Sequence, residues 1–387
     1  MTDRTPFANY QNEIYLRGLA DELPAQPLAY DELERKARET LDPGPYGYVA
    51  GGAGLEDTMK ANRAAFERWR IVPRFLRDVK DRDLSTSVIG TPMRAPLLLA
   101  PIGVQSIVHP DGELASARAA ASLDVPFIMS TASSFPIEEV AEANGNGRRW
   151  YQLYWPGDRD LAASFVHRAE ASGFEVLVVT IDTFMLAWRP RDLQLAYLPF
   201  LRATGIANYV SDPVFNKGLP DENREQAQIL KFVGLFNDPS LTWDDLAWLR
   251  EQTRLPIVLK GIQHPHDARR ALDHGMEGIV VSNHGGRQVD GALGSLDALP
   301  AIVDAVGDRL AVLFDSGIRS GADAFKALAL GARAVLLGRP YMWGLALRGE
   351  DGVATVIRSF LAELDLTLGL SGYCSFAEVG RDALQKI

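Results

Sequence analysis

The sequence predicts an α/β fold: a (β/α)8 TIM barrel with an N-terminal helical extension and a long lid insertion after strand 4. Three observations carry that expectation. Eight short runs rich in Leu, Val and Ile recur from residue 97 onward, at 97–100, 127–129, 150–154, 176–181, 257–259, 278–281, 311–314 and 334–337. Segments with apolar residues at three- and four-residue spacing lie between them. Polar residues cluster at the C-terminal ends of the runs, where barrel enzymes keep their chemistry.

Each run is too short for a helix and apolar on both alternating faces, as parallel strands covered on both sides must be. The intervening stretches 112–123, 158–172, 265–274 and 321–330 have the periodicity of amphipathic helices. Gly173, Gly275 and Gly331 stand where those helices must stop, a few residues before the next strand. An open doubly wound sheet shares this alternation; the polar strand ends favour closure. The chain divides into an extension (1–95), the barrel (96–345) and C-terminal helices (346–387), all in one domain. The first 90 residues or so read as helices and turns, with one amphipathic helix at 28–40.

Residues 183–242 interrupt the repeat. That stretch far exceeds the 2–6 residues usual in such connections and holds Pro190, Pro199, Pro213, Pro220 and Pro239. An insertion after a barrel strand lies over the C-terminal mouth, so a substrate-covering lid is the functional reading. An oligomer contact or a disordered excursion are the structural ones.

Composition excludes several classes. Of 387 residues, 47% are hydrophobic and 23% charged, ordinary for a globular chain. The formal charge of −10 disfavours a grip on nucleic-acid phosphates and docking on anionic lipid. No apolar run approaches the ~20 residues of a spanning helix, and residues 1–17 lack a signal-peptide stretch. Cys374 is the single cysteine, expected to be a small buried side chain that fits a reducing compartment. These features read as cytoplasmic. The six histidines lack metal-ligand spacing, so no metal is expected.

The strand ends carry the chemistry. The third offers Gln152 and Tyr154; the fourth, Thr180 and Asp182; the fifth, Lys260; the sixth, Ser282, Asn283, His284 and Arg287. The seventh offers Asp315, Gly317 and Arg319, and the eighth Gly338 and Arg339. Barrel phosphate sites form after strands 7 and 8, with backbone N–H groups at glycines and guanidinium forks supplying the charge. No G-x-G-x-x-G follows a strand, which disfavours a nicotinamide dinucleotide. Asp182 can orient the His284 ring and stabilise its protonated form, while Arg287 and Arg189 can grip a carboxylate.

The stretch S-N-H-G-G-R-Q, residues 282–288, resembles the signature of the FMN-dependent L-2-hydroxy-acid oxidase and dehydrogenase family. The likeness extends through Tyr48 in G-Y-V-A-G-G-A, Ala100-Pro101, Gln152-Leu153-Tyr154, Thr180-Ile181-Asp182, Leu259-Lys260-Gly261, D-S-G-I-R at 315–319 and Gly338-Arg339-Pro340. It implies FMN as cofactor and His284 as the base for the substrate hydroxyl, with Asp182 its partner. It places Arg287, Arg189 and Tyr48 on the carboxylate and Tyr154 on the hydroxyl. Pro101, Ile102, Gly103, Ser130, Gln152, Thr180 and Ser282 would line the flavin, with Lys260 at its pyrimidine edge and Asp315 on the ribityl chain. Gly317, Arg319, Gly338 and Arg339 would hold its phosphate.

Two departures from the glycolate-oxidase pattern point to a subgroup. Ala132 replaces a bulky tryptophan, leaving room for lactate, and Gly103 replaces the alanine usual in oxidases. With P-I-G-V at 101–104, W-R-P-R-D at 188–192 and the long insertion, the chain most resembles lactate 2-monooxygenases. That resemblance implies L-lactate and O2 as substrates, with acetate, carbon dioxide and water as products, and a homo-oligomer (tetramer or octamer). An L-lactate oxidase, a membrane-coupled dehydrogenase and a non-redox phosphate-ligand barrel are the competing readings.

Overall fold

A computed structural model describes residues 6–236 and 238–387. Eight parallel strands close on themselves: β1 (Leu97–Leu99), β2 (Phe127–Ser130), β3 (Arg149–Leu153), β4 (Leu177–Thr180), β5 (Ile257–Ile262), β6 (Gly278–Val281), β7 (Ala311–Phe314) and β8 (Ala334–Leu337). Strand β8 pairs back onto β1, with Leu336 opposite Leu98, so no edge remains. The expected barrel forms, and all eight strands fall where the apolar runs lie. Gly173, Gly275 and Gly331 take φ of +73°, +73° and +110° just after their helices, a conformation that costs glycine little.

Side-chain alternation turns these strands into two layers and a rim. Leu98, Ile128, Trp150, Val178, Val258, Val280, Leu313 and Leu336 point inward and form one apolar cluster. Their neighbours, such as Leu97, Met129, Val179 and Phe314, point outward into the larger core beneath the helices. Two residues further along each strand, the inward positions are Ala100, Ser130, Gln152, Thr180, Lys260, Ser282, Asp315 and Gly338. Six of those eight are polar, so the barrel's filling changes character at one level.

The extension holds more strand than expected. Thr86–Val88 and Thr91–Met93 form an antiparallel hairpin, turned at Ile89 and Gly90 with φ of +50° and +76°. Its Val88 and Met93 join the inward cluster, and Thr91 Oγ1 accepts a 3.0 Å bond from Trp150 Nε1, closing the bottom of the barrel. Trp69–Ile71 pairs with Leu384–Lys386, so the C-terminal stretch is not helical throughout. These strands have three residues each, too few to display a period. Cys374, expected to be buried, is half-exposed, with Sγ 3.2 Å from the Asp78 carbonyl.

The insertion is neither structureless nor a simple flap. It contains helices at Pro190–Gln194, Ala207–Val210, Pro213–Asn216 and Arg224–Leu235. Buried Asp212 accepts from Arg168 (3.0 Å) and Ser164 (2.7 Å) of the helix after β3, anchoring the segment. A relay of rings continues from Phe165 through Tyr209 and Phe232 to Phe236, directly or by way of Phe200, and from Phe236 to Tyr154, with centroids 4.8–5.3 Å apart. Residues 184–188 behave differently: Met185 and Trp188 lie largely exposed. No helix among the described residues is long and apolar enough to cross a membrane.

Candidate active site

A cavity opens at the C-terminal mouth, with about 1200 Å³ of empty space that includes open solvent. Its wall takes residues from the extension, the barrel and the insertion: Tyr48 from the extension, Ile102 and Gly103 after β1, Ala132 after β2, Leu186 and Phe236 from the insertion. Lys260, His284, Arg287, Asp315, Gly317, Arg319, Gly338 and Arg339 line it too, as do Pro101, Tyr154, Thr180 and Arg189. Ser130, Gln152, Ser282 and Asp182 lie behind that lining. Every candidate site residue therefore converges on one place.

His284 follows β6 with φ +59°, a left-handed backbone that non-glycine residues rarely hold. Its Nδ1 sits 2.9 Å from Asp182 Oδ1, and its Nε2 3.3 Å from the Tyr154 hydroxyl. Asp182 can approach because β5 bulges at Gly261: a Cβ there would lie 2.7 Å from Asp182 Cβ. Thr183 Oγ1 donates to the same carboxylate at 3.0 Å. Burial drives the imidazole below its ordinary pKa, only partly opposed by Asp182. Burial also pushes the Asp182 carboxyl up, but His284 and Lys260 together outweigh it, leaving the carboxyl below its usual range. The pair rests as carboxylate and neutral imidazole, with Nδ1–H donated to Asp182 and the Nε2 lone pair facing the cavity.

Cations crowd the rest of the mouth. Arg287 donates to the carbonyls of Tyr48 and, at 2.9 Å, Gly51, with its guanidinium 4.9 Å from the Tyr48 ring centre. Arg339 donates to Val49, Gly285 and Gly51 carbonyls at 2.9–3.1 Å. The carbonyl end of Pro43–Ala50 thus faces two guanidinium groups, the favourable sense of its helix dipole. Arg189 reaches the Arg287 carbonyl (3.1 Å) and Gln288 Oε1 (2.9 Å). Burial, then repulsion by Arg189, lowers Arg287 to about 9; burial and Arg339 lower Arg319 to about 9. Four guanidinium groups and the Lys260 ammonium at one mouth, in a chain of net charge −10, make a site for anions.

The residues fit the FMN that the resemblance implies. Among the described residues, Gln152 Nε2 and Arg319 Nη1 are buried donors without a hydrogen-bond partner, one at the barrel's rim and one in the loop after β7. A Cβ at Gly338 would meet only Ile102 Cδ1, at 3.8 Å, so backbone and ligand can approach there. Lys260 Nζ, 3.0 Å from both Ser282 Oγ and Asp315 Oδ2, stands inside the rim with its charge half-compensated.

Sequence reasoning missed several contributors. Thr183 and Gln288 adjoin residues it named, and Gln288 donates to the Asp182 carbonyl at 2.6 Å. Ser316, φ +82°, accepts from the backbone N–H groups of Asn283 and Gly285 at 3.3 and 3.0 Å. The apolar wall of Leu186, Phe200 and Phe236 comes from the insertion, whose fold has no period to read.

Comparison with known proteins bears on the family and the fold. A family model described as FMN-dependent dehydrogenase matches residues 37–386. An FMN-dependent alpha-hydroxy acid dehydrogenase of Penicillium citrinum is 49% identical, over 98% of this chain and 96% of that protein. An L-lactate oxidase of Lysinibacillus sphaericus is 44% identical, over 94% of each. A crystal structure of mandelate oxidase with (S)-4-hydroxymandelic acid superimposes with a TM-score of 0.83 at 40% identity, covering 93% of this chain and 98% of that one.

Proposed function

Since the chain belongs to the FMN-dependent dehydrogenase family, we propose that it oxidises L-lactate with oxygen, and that it does so as a lactate 2-monooxygenase. The observation that carries the oxidation is the His284–Asp182 pair, beside a cavity walled by Tyr154, Arg189 and Arg287. A 2-hydroxy acid needs both a base and a cationic seat, and this mouth has them side by side.

In this reading the two guanidinium groups and Tyr48 seat the carboxylate. Tyr154 meets the hydroxyl, and His284 Nε2 takes its proton as the α-carbon becomes a carbonyl. When bound, FMN would supply the acceptor for the two electrons leaving that carbon, with oxygen as the terminal oxidant. Asp182 then faces an imidazolium, which it stabilises in a dry site where an unpaired charge would be costly; a positioned base contributes roughly 10²–10⁴ in rate. Pro101, Ile102, Gly103, Ser130, Gln152, Thr180, Lys260, Ser282 and Asp315 would hold the flavin and ribityl chain. Gly317, Arg319, Gly338 and Arg339 would hold the phosphate.

Ala132 is buried against the cavity, and its smallness supports a short substrate side chain. A Cβ on Gly103 would lie 2.6 Å from the Ala132 carbonyl and 2.9 Å from its Cβ, so the two small residues depend on each other. Phe200, Phe236 and Leu186 over the mouth support retention of pyruvate beside newly formed hydrogen peroxide. That encounter yields acetate, carbon dioxide and water. The exposed apolar residues Met185, Trp188, Leu193 and Leu195 support a homo-oligomer.

The L-lactate oxidase relative favours a second outcome, release of pyruvate and hydrogen peroxide. Aerobic turnover of L-lactate with all four products quantified decides between them. Acetate and carbon dioxide in step with oxygen consumed are expected. Stoichiometric pyruvate and peroxide would leave the oxidation standing and remove the monooxygenase.

A further inference from the structure

His284 owes its aim to a backbone that few residues adopt, and the groups holding that backbone extend outside the barrel. Asn283, immediately before it, is 5% exposed and makes a reciprocal amide pair with Asn62 of the extension helix Asp57–Glu67. Asn62 Nδ2 donates to Asn283 Oδ1 at 2.8 Å, and Asn283 Nδ2 donates to Asn62 Oδ1 at 2.7 Å. The Asn283 amide uses all four of its hydrogen-bonding positions, and Asn62 three. Asn283 Oδ1 also accepts from the Gly286 N–H at 3.1 Å, and its Nδ2 donates to the Leu293 carbonyl at 3.1 Å. Asn62 Oδ1 also accepts from the Ser295 N–H at 3.0 Å. With Gly286 N–H on its oxygen, the Asn283 amide cannot flip without losing both backbone partners.

The same helix touches the loop after β7. A Cβ on Gly317 would lie 3.1 Å from both Asn62 Cβ and the Asn62 carbonyl oxygen. Arg63 donates to the Gly317 carbonyl and, at 2.7 Å, to Asp323. From that loop, Ser316 Oγ accepts the Asn283 and Gly285 N–H groups and donates to Asp315 at 2.8 Å. The turn at 283–286 is therefore pinned on one side by Asn62 and on the other by Ser316.

We propose that Asn62 is a positioning residue: paired with Asn283, it holds the 283–286 turn and so aims the His284 ring at the substrate hydroxyl. This rests on the reading of His284 as the base. A residue of the extension that lies outside the cavity lining thereby influences the rate of the chemical step. Buried amide pairs of this kind lose more than one bond when broken, because the surviving partner is left unsatisfied in a dry interior.

The test replaces one atom group. Asn62→Asp keeps the shape but sets a carboxylate oxygen against Asn283 Oδ1, which the Gly286 N–H holds in place. Asn62→Ser removes the amide without adding charge and serves if the first variant does not fold. Holoenzymes are mixed anaerobically with L-lactate across pH, and FMN content, melting temperature and affinity for oxalate (an unreactive dianion) are measured in parallel. Expected are normal FMN content, a flavin-reduction rate down ~10- to 100-fold, oxalate affinity within about threefold of the parent, and a displaced acid limb of the pH profile. A lower melting temperature with unchanged rate and pH profile overturns the proposal, since Asn62 then only adds stability. His284→Ala separates the two failures: if that variant reduces flavin at the parent rate, the base assignment falls, and this proposal falls with it.

Discussion

The two ends of the barrel are built from the same eight strands and do opposite things. At the bottom, the inward residues are apolar, and a hairpin carrying Val88 and Met93 seals them. Two positions higher, the inward residues are Ser130, Gln152, Thr180, Lys260, Ser282 and Asp315, and the mouth stays open. Strand geometry is common to both, so the difference lies in residue type at one level of a period-two pattern. Stability is concentrated below that level and chemistry above it.

Substitutions can break that division or sharpen it. At the rim the expected effect falls on substrate binding. Arg287→Lys substitutes a point charge for a planar fork that also ties Tyr48 and Gly51 carbonyls in place. The KM for L-lactate should rise ~10- to 100-fold, roughly 1.4–2.8 kcal/mol, with FMN retained. Steady-state kinetics measures it, and an unchanged KM would remove Arg287 from carboxylate binding. The smaller effect on turnover is at the bottom. Met93→Ala leaves a cavity in the inward apolar cluster and should cost about 2–5 kcal/mol of stability while kcat changes less than about twofold. Denaturant melts and turnover on the same preparation check both halves. A large loss of kcat in a protein of normal stability would show that the two ends are not separable.

How much of this could be read from the sequence follows the same physical line. All eight strands were legible because buried parallel strands are apolar on both faces over most of their length, with polar residues mostly at their C-terminal ends. The strand-end part of the site was legible because strand ends, unlike loops, have a defined place in a closed barrel; Tyr48, Gly103, Ser130 and Ala132 came only from the family resemblance. Asp182 and His284 are 102 residues apart, yet their shared rim follows from the strand count. The three-residue strands at 69–71, 86–88, 91–93 and 384–386 were not legible, since T-S-V and T-P-M show no alternation. Nor was the insertion's anchoring: Asp212 is buried because Arg168 and Ser164 reach it, which only tertiary packing decides. Asn62 escaped notice for the same reason, being an ordinary polar residue on a helix until Asn283 arrives opposite.

The most direct measurement is anaerobic stopped-flow bleaching of the bound flavin by L-lactate in the parent and in His284→Ala. Because burial holds the imidazole below 6.5, the parent's base is neutral at pH 7 and its rate should fall as pH drops through a value under 6.5. The alanine variant should keep its yellow cofactor and bleach at least ~100-fold more slowly at every pH. Bleaching at the parent rate, with the parent pH dependence, would contradict the account.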